Sequence, residues 1–150
     1  MLKEADVAAE RPVIVDLGCG VGLDSMLLLA GPFPAGRVVG VDLTREMCIK
    51  AQENASLCGH AAPRFAVLEA SVDALGLQAQ LQAAGLVEVG TADLVVSNGV
   101  FNLCVDKRQA FLNAFALLKP GGIFLLVDMV RELGFGAAAG GDGTFTDWAD

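Results

Sequence analysis

Short apolar runs alternate with helical apolar patterns along most of the chain. Five of these runs have the length and β-branched content of strands that are buried in a sheet. They lie at about residues 12–16, 38–41, 64–68, 93–97 and 123–127. The intervening segments place apolar residues at helical spacing over about residues 23–30, 44–58, 75–84 and 106–118. Because strands that alternate with helices form βαβ units, the pattern predicts an α/β fold with a parallel, doubly wound sheet.

The same periodicity predicts which helix faces are buried. On the first helix, the predicted face consists of Leu23, Met26, Leu27 and Ala30. The last helix begins at a capping-box-like pair, Asp106 and Gln109. Its predicted face consists of Phe111, Ala114, Phe115 and Leu118. The segment Lys119-Pro120-Gly121-Gly122 predicts a sharp turn into the fifth strand.

Composition narrows the class of protein and of ligand. With 150 residues, of which 54% are hydrophobic and 19% charged, the chain is long and apolar enough for one folded domain. Its formal net charge of −8 is poorly suited to the phosphate contacts that dominate nucleic-acid binding. We therefore expect a small-molecule or protein substrate and no nucleic acid.

Cysteine usage and the chain ends add further expectations. The four cysteines form no CxxC pair and His60 is the only histidine, so we expect no metal site. No signal peptide and no uncharged apolar run of membrane-spanning length is found, which predicts a cytoplasmic protein without a membrane partner. Residues 1–11 form a polar lead-in, residues 12–132 the folded core, and residues 133–150 a Gly/Ala-rich tail that we interpret as loop or poorly ordered chain.

A glycine-rich turn follows the first strand and carries the candidate chemistry. The strand ends in Asp16, the turn contains Gly18 and Gly20, and the second strand ends in Asp42. Glycines let a ligand approach the backbone, and a carboxylate accepts hydrogen bonds from ribose hydroxyls. In a doubly wound sheet the ligand lies at the carboxyl ends of the strands, where Ser97 also lies. The pattern predicts a site for an adenosine-containing ligand.

The spacing of the turn separates two such ligands. Dinucleotide sites use GxGxxG, whereas this turn has GxGxG and is preceded by Asp16. A pyrophosphate beside that carboxylate would be repelled, and an ammonium group would be attracted. S-adenosylmethionine carries an amino-acid head, a ribose and a sulfonium, and it has no phosphate. The turn therefore favours S-adenosylmethionine over NAD as the cofactor.

Three motifs resemble those of the class I S-adenosylmethionine-dependent methyltransferases, whose sheet is Rossmann-like. They are VDLGCGVG (15–22), GVDLT (40–44) and LLKPGG (117–122), and the resemblance covers about residues 12–128. It implies that the cofactor's methionine part is surrounded by Asp16, Gly18, Cys19 and Gly20, and that its ribose is held by Asp42. It also implies that Leu43 and Met47 flank the adenine and that the loop with Ser71 and Val72 contacts it. Ser71 stands where family members often carry an acidic residue.

A longer segment, SNGVFNLCVDKRQAFLNAFALLKPGG (97–122), resembles the arsenite methyltransferase branch. In that branch cysteine thiolates hold trivalent arsenic beside the methyl donor, which implies thiol-bound arsenite as the substrate. Asn98 and Cys104 are the candidate substrate residues at the end of the fourth strand, although Asn98 is as well suited to tying loops and Cys104 to packing. Ser25 and Gly99 stand where the branch has cysteines. The alternative is a non-catalytic or truncated S-adenosylmethionine-binding module.

The fold that these motifs imply has seven strands, and its last two form an antiparallel hairpin. Residues 128–150 contain no convincing strand pair, so we expect five parallel strands without the C-terminal hairpin. The fifth strand would then be an apolar edge, which favours aggregation or pairing. We expect a partner chain or a missing segment to complete the sheet.

Overall fold

The computed structural model describes residues 12–31 and 36–130. The predicted lead-in (1–11), the tail (133–150) and most of the loop between the first helix and the second strand lie outside these residues. The elements are β1 (Val13–Leu17), α1 (Leu23–Ala30), β2 (Arg37–Asp42), α2 (Arg45–Leu57), β3 (Phe65–Glu69), α3 (Leu77–Ala83), β4 (Ala92–Asn98), α4 (Lys107–Leu117) and β5 (Leu118–Val127). The predicted α/β architecture with five strands is confirmed.

The strands form one sheet in the order β3-β2-β1-β4-β5, and every neighbouring pair is parallel. β1 lies in the middle of the sheet; β2 and β3 extend the sheet on one side of it, and β4 and β5 extend it on the other. This reversal leaves a crevice at the carboxyl ends of β1 and β4, where doubly wound folds bind their ligands. The topology thus brings the ends of β1, β2 and β4 to one edge.

Alternation along the central strands gives the sheet two buried faces. On one face Val15 and Leu17 of β1 pack in a cluster that includes Leu77 of α3 and Ala114 of α4. On the other face Ile14 packs in a cluster with residues of α1 and α2. Successive side chains of a strand point to opposite faces, so a strand covered on both sides is apolar throughout. This is why the strands were evident as continuous apolar runs.

The predicted face of α1 is wrong except for Met26. The helix buries Ser25, Met26 and Leu29, whereas Leu23 and Leu27 are 66% and 63% exposed. A serine lies on the buried stripe because its hydroxyl finds a buried partner, described below. Because Ser25 is polar but occupies a core position, a prediction from apolar residues alone selects a face of α1 that is rotated away from the sheet.

The predicted face of α4 is also wrong in part. The helix buries Ala110, Asn113, Ala114 and Leu117. Phe115 is 61% exposed, and Leu118 belongs to β5. The rings of Phe111 and Phe115 lie 6.0 and 6.2 Å from that of Phe124 on β5, in edge-to-face geometry. The small residues let the helix approach the sheet closely, and the large rings pack beside it.

The predicted turn after α4 is a bulge within the strand. β5 begins at Leu118, directly after the helix, and pairs with Ala92; the next pair in register is Leu94 with Ile123. The segment Lys119–Gly122 is therefore extra chain on the β5 side, and Gly121 has the positive φ of 80° that such an irregularity requires. Pairing with β4 on both sides of the segment keeps it in the sheet.

β5 is one of the two edge strands of the sheet in the part of the chain that is described, and β3 is the other. Ile123, Leu125 and Val127 alternate along one of its faces, and each is more than half exposed. The expectation of an apolar fifth strand at the edge is consistent with this arrangement. No helix within residues 12–31 and 36–130 has both the length and the apolarity to cross a bilayer.

Candidate functional site

The Asp42 carboxylate at the end of β2 is held in place by two backbone amides. The Gly20 amide donates to Asp42 Oδ2 at 2.8 Å, and the Thr44 amide donates to Asp42 Oδ1 at 2.9 Å. Each carboxylate oxygen can accept more than one hydrogen bond. The side chain is therefore fixed in orientation and still has acceptor capacity on both oxygens. This geometry suits a pair of adjacent hydroxyl groups.

The glycine turn after β1 is attached to the end of β2. The amides of Gly18 and Cys19 both donate to the Val41 carbonyl, at 2.7 and 3.0 Å. Gly18 has a φ of 78°, and a Cβ atom at this position would lie 2.1 Å from Val100 Cγ2. Only glycine meets both conditions, since the left-handed conformation and the missing side chain are required together.

A cavity of about 330 Å³ lies at the carboxyl ends of the strands, between the turn and the loops that follow β2, β3 and β4. Its walls consist of Gly18, Asp42, Leu43, Thr44, Met47, Ser71, Val72, Val100, Leu103 and Cys104. Seven of these are residues predicted from the sequence to belong to the site. Thr44, Val100 and Leu103 were not predicted, because a sequence pattern does not show which loop residues face a common space.

Asp16 lies behind the glycine turn, and the cavity walls do not include it. Its carboxylate is only 2% exposed, and Asp16 Oδ2 accepts a hydrogen bond of 2.6 Å from the Ser25 hydroxyl of α1. Burial raises the pKa of Asp16 from 3.8 to about 6; the Ser25 hydroxyl opposes this rise, and the nearby Asp24 and Asp42 carboxylates add to it. The ends of β1, β2 and α1 thus collect negative charge, which favours a cationic ligand.

Replacing Asp16 with asparagine is expected to raise the free energy of unfolding by about 2 kcal/mol at pH 8. The pKa of Asp16 is higher in the folded chain than its ordinary value, so the folded state binds the proton more tightly. Wild-type stability therefore falls as pH rises from 3.8 to about 6, and the penalty is complete above that range. Urea unfolding at pH 4.5 to 8 measures the difference between the two proteins.

The stabilisation by Asp16→Asn should shrink as the pH falls from about 6 toward 3.8, because the folded wild-type carboxyl takes up its proton in this range before the unfolded one does. Glu88→Gln is the control, because Glu88 is an exposed carboxylate that is not among the charges that raise the pKa of Asp16. A stability difference that is independent of pH would contradict the assignment of the raised pKa to Asp16.

The two predicted thiols lie in different environments. Cys19 is buried, and a Cβ atom on Gly40 of β2 would lie 2.6 Å from its Sγ atom, so its side chain packs into the sheet. Burial raises the pKa of the Cys19 thiol far above its usual range, which keeps it protonated. Cys104 lines the cavity, its Sγ atom lies 3.6 Å from the Val100 carbonyl, and burial raises its pKa.

Ser97 and Asn98, at the end of β4, lie outside the cavity that contains Asp42. Both line a second cavity of about 330 Å³ between α1 and β5. The Ser97 hydroxyl donates to the Leu17 carbonyl at 2.8 Å, and Asn98 Nδ2 donates to Asp24 Oδ2 at 3.1 Å. The predicted substrate residues Asn98 and Cys104 thus border separate cavities. Within the described residues, no three side chains of His, Cys, Asp or Glu are grouped to hold a metal ion.

Asn113 of α4 supports one cavity wall and was missed in the sequence. It is fully buried, its Nδ2 donates to the carbonyls of Val72 and Ala74 at 2.8 and 2.9 Å, and its Oδ1 accepts from Gln109 Nε2 at 2.8 Å. These bonds fix the loop after β3 on α4. The sequence does place Asn113 at helical spacing with Ala110, Ala114 and Leu117. A polar residue on such a face indicates a buried amide that needs hydrogen-bond partners.

Comparison with known proteins places this chain in a family. The family model described as a methyltransferase domain matches residues 10–143. An arsenite methyltransferase of Halobacterium salinarum is 33% identical over 129 residues, which cover 85% of this chain and 29% of the relative. A trans-aconitate 2-methyltransferase of Variovorax paradoxus is 32% identical over 117 residues, covering 78% of this chain and 38% of the relative. The chain therefore spans about a third of the length of these relatives.

Solved structures show the same fold. The crystal structure of an S-adenosylmethionine-dependent methyltransferase from Mesorhizobium loti superimposes with a TM-score of 0.60 at 25% identity, covering 77% of this chain and 45% of that one. The chain belongs to the methyltransferase domain family, whose cofactor is S-adenosylmethionine.

Proposed function

We propose that the cavity at Asp42 binds S-adenosylmethionine and that the protein transfers its methyl group to a small molecule. The observation that carries the proposal is the fixed Asp42 carboxylate, which has an acceptor on each oxygen beside a cavity of about 330 Å³. Adjacent ribose hydroxyls are the natural donors for such a pair. Family membership supports the reaction class.

The cavity walls fit the other parts of this cofactor. Leu43 and Met47 are exposed apolar side chains on one side, and Val72 and Val100 provide further apolar surface for a purine ring. The Asp24 and Asp42 carboxylates both lie close enough to Asp16 to raise its pKa, and this negative charge favours a ligand that carries an ammonium and a sulfonium. A pyrophosphate would meet the same charges and would be disfavoured, which argues against NAD.

The residues of this chain would contribute binding and orientation. When bound, the cofactor supplies a methyl group on a sulfonium, which is already a reactive donor. Asp42 would hold the ribose, the glycine turn would let the methionine part lie against backbone, and the apolar walls would exclude water. Positioning of this kind can provide much of the rate enhancement without a general base.

For the methyl acceptor, we propose thiol-bound arsenite as the first candidate, because curated relatives with that name match most of the chain. The second candidate is a module that binds the cofactor but does not methylate arsenic. It is favoured by two positions: Ser25 is fully buried with its hydroxyl on Asp16, and Gly99 has a φ of 70° and no side chain. Cys104 supplies one thiol, whereas soft As(III) is enclosed by two or three.

Calorimetry with S-adenosylhomocysteine and with NAD tests the cofactor assignment. We expect binding of S-adenosylhomocysteine and none of NAD, because only the first ligand lacks a pyrophosphate. Binding of NAD without S-adenosylhomocysteine would reject the proposal.

Methyl transfer from radiolabelled S-adenosylmethionine to glutathione-complexed arsenite and to trans-aconitate tests the acceptor. Transfer to arsenite that is lost in Cys104→Ser would support the first candidate. Cofactor binding without transfer to arsenite would support the second, and transfer to trans-aconitate would replace arsenite with a carboxylate acceptor. Cys58→Ser is the matched control, since Cys58 is exposed at the end of α2.

A further inference from the structure

In the wall of the Asp42 cavity that contains Ser71, hydrogen bonds determine which groups can donate and which can accept. The Ser71 hydroxyl donates to Asp73 Oδ1, two residues further along the loop after β3. The other carboxylate oxygen, Asp73 Oδ2, accepts from the Asp106 amide at 3.0 Å. Asp73 thus connects Ser71 to the start of α4.

Asp73 is held in its charged form. The hydroxyl of Ser71 and the amide of Asp106 lower the pKa of Asp73, and both donate to its carboxylate. An ionised carboxylate has no proton to donate, so the hydrogen between the two side chains belongs to Ser71. The Ser71 oxygen then offers only lone pairs to the cavity that it lines. This wall accepts a hydrogen bond and does not donate one.

Resting on the cofactor site proposed above, we propose that Asp73 is a positioning residue that acts through Ser71 to select a 6-amino purine over a 6-oxo purine. The adenine amino group is a donor, and it would be bound by the Ser71 oxygen. The oxygen of hypoxanthine at the same position would face lone pairs. A serine can therefore replace a carboxylate at this position, provided that Asp73 fixes the direction of its hydrogen.

The test compares S-adenosylhomocysteine with S-inosylhomocysteine, its 6-oxo analogue, by calorimetry on the full chain. We expect the wild type to bind the adenosine ligand more tightly by at least about tenfold, the usual consequence of one mismatched hydrogen bond. Ser71→Ala should bring the two affinities close together, chiefly by weakening the adenosine ligand. Ser56→Ala, an exposed serine of α2 bonded within its own helix, is the matched control and should leave the ratio unchanged.

Asp73→Asn gives the sharper prediction. An amide nitrogen cannot accept from the Asp106 N–H, so the introduced amide must turn its oxygen toward Asp106 and its NH₂ toward Ser71. The Ser71 oxygen would then accept, and its hydrogen would be free to point into the cavity. We expect this variant to bind the inosine ligand better than the wild type does, and to bind the adenosine ligand less well.

The outcomes separate this inference from the proposed function. A wild-type chain that binds neither ligand overturns the proposed function and this inference with it. Equal binding of both ligands by the wild type overturns the inference alone, and that result needs no variant. The inference is also overturned if Ser71→Ala keeps the wild-type ratio of the two affinities, or if Asp73→Asn lowers both affinities equally. A purely structural role for Ser71 and Asp73 would produce these results.

Discussion

Gly18→Ala is expected to lower the free energy of unfolding by about 4 kcal/mol, since it combines a severe overlap with an unfavourable backbone conformation. The new Cβ atom would lie 2.1 Å from Val100 Cγ2 and 2.9 Å from Val100 Cβ. The turn is unable to move away easily, because the Gly18 and Cys19 amides both bind the Val41 carbonyl. Urea unfolding followed by circular dichroism measures the loss.

Two further variants separate the causes of that loss. Gly76→Ala is the matched control: Gly76 has a φ of 75°, but a Cβ atom there would meet nothing within 4 Å. It should cost only about 1 kcal/mol, the conformational part of the effect. In a Val100→Ala background, Gly18→Ala should cost about half as much as in the wild type, since the overlapping methyl groups are gone. Equal losses for Gly18→Ala and Gly76→Ala would show that contact with Val100 is unimportant.

Asp42→Ala is expected to weaken the binding of S-adenosylhomocysteine by more than about 100-fold, or about 3 kcal/mol. Two causes add. The ribose loses its charged acceptor, and the amides of Gly20 and Thr44 lose the partner that fixes the turn and the start of α2 around the cavity. Calorimetry at pH 8, where the Asp16 carboxyl is ionised, measures the change.

Asp93→Ala is the control for the structural part of that effect. Asp93 Oδ2 also accepts a backbone amide, from Val13 at 2.8 Å, but it lies at the opposite end of the sheet near the start of β4. Removing it should lower stability and leave the affinity unchanged. If Asp42→Ala changes the affinity by less than about threefold, the ribose assignment fails.

The order of elements and most of the residues that line the Asp42 cavity were predictable from the sequence. Strands buried on both faces are apolar at every position, so they stand out without knowledge of the fold. Asp42 was predicted as the ribose-binding carboxylate because it follows a buried strand at a fixed distance from a glycine turn, and this role stays a prediction. The cavity around it contains most of the predicted cofactor residues.

The helix faces and the substrate side were not predictable in the same way. Ser25 and Asn113 occupy buried stripes because each finds polar partners on distant segments, Asp16 in one case and the loop after β3 in the other. A prediction from apolar residues alone assigns such polar residues to the exposed side, so the predicted buried face of the helix differs from the observed one. Likewise, the Lys119–Gly122 segment contains turn residues, but pairing with β4 before and after it keeps it within β5.

By itself, the sequence determined the alternation of strands and helices, the glycine turn and the carboxylate that ends β2, because each depends on local geometry or on spacing along the chain. Only the tertiary structure decided that Cys104 borders the Asp42 cavity while Asn98 borders another, that Asp16 lies buried behind the turn, and that Asp73 directs the Ser71 hydroxyl. These arrangements depend on contacts between segments that are far apart in the chain or on the direction of a single hydrogen bond, and neither is encoded in a residue pattern.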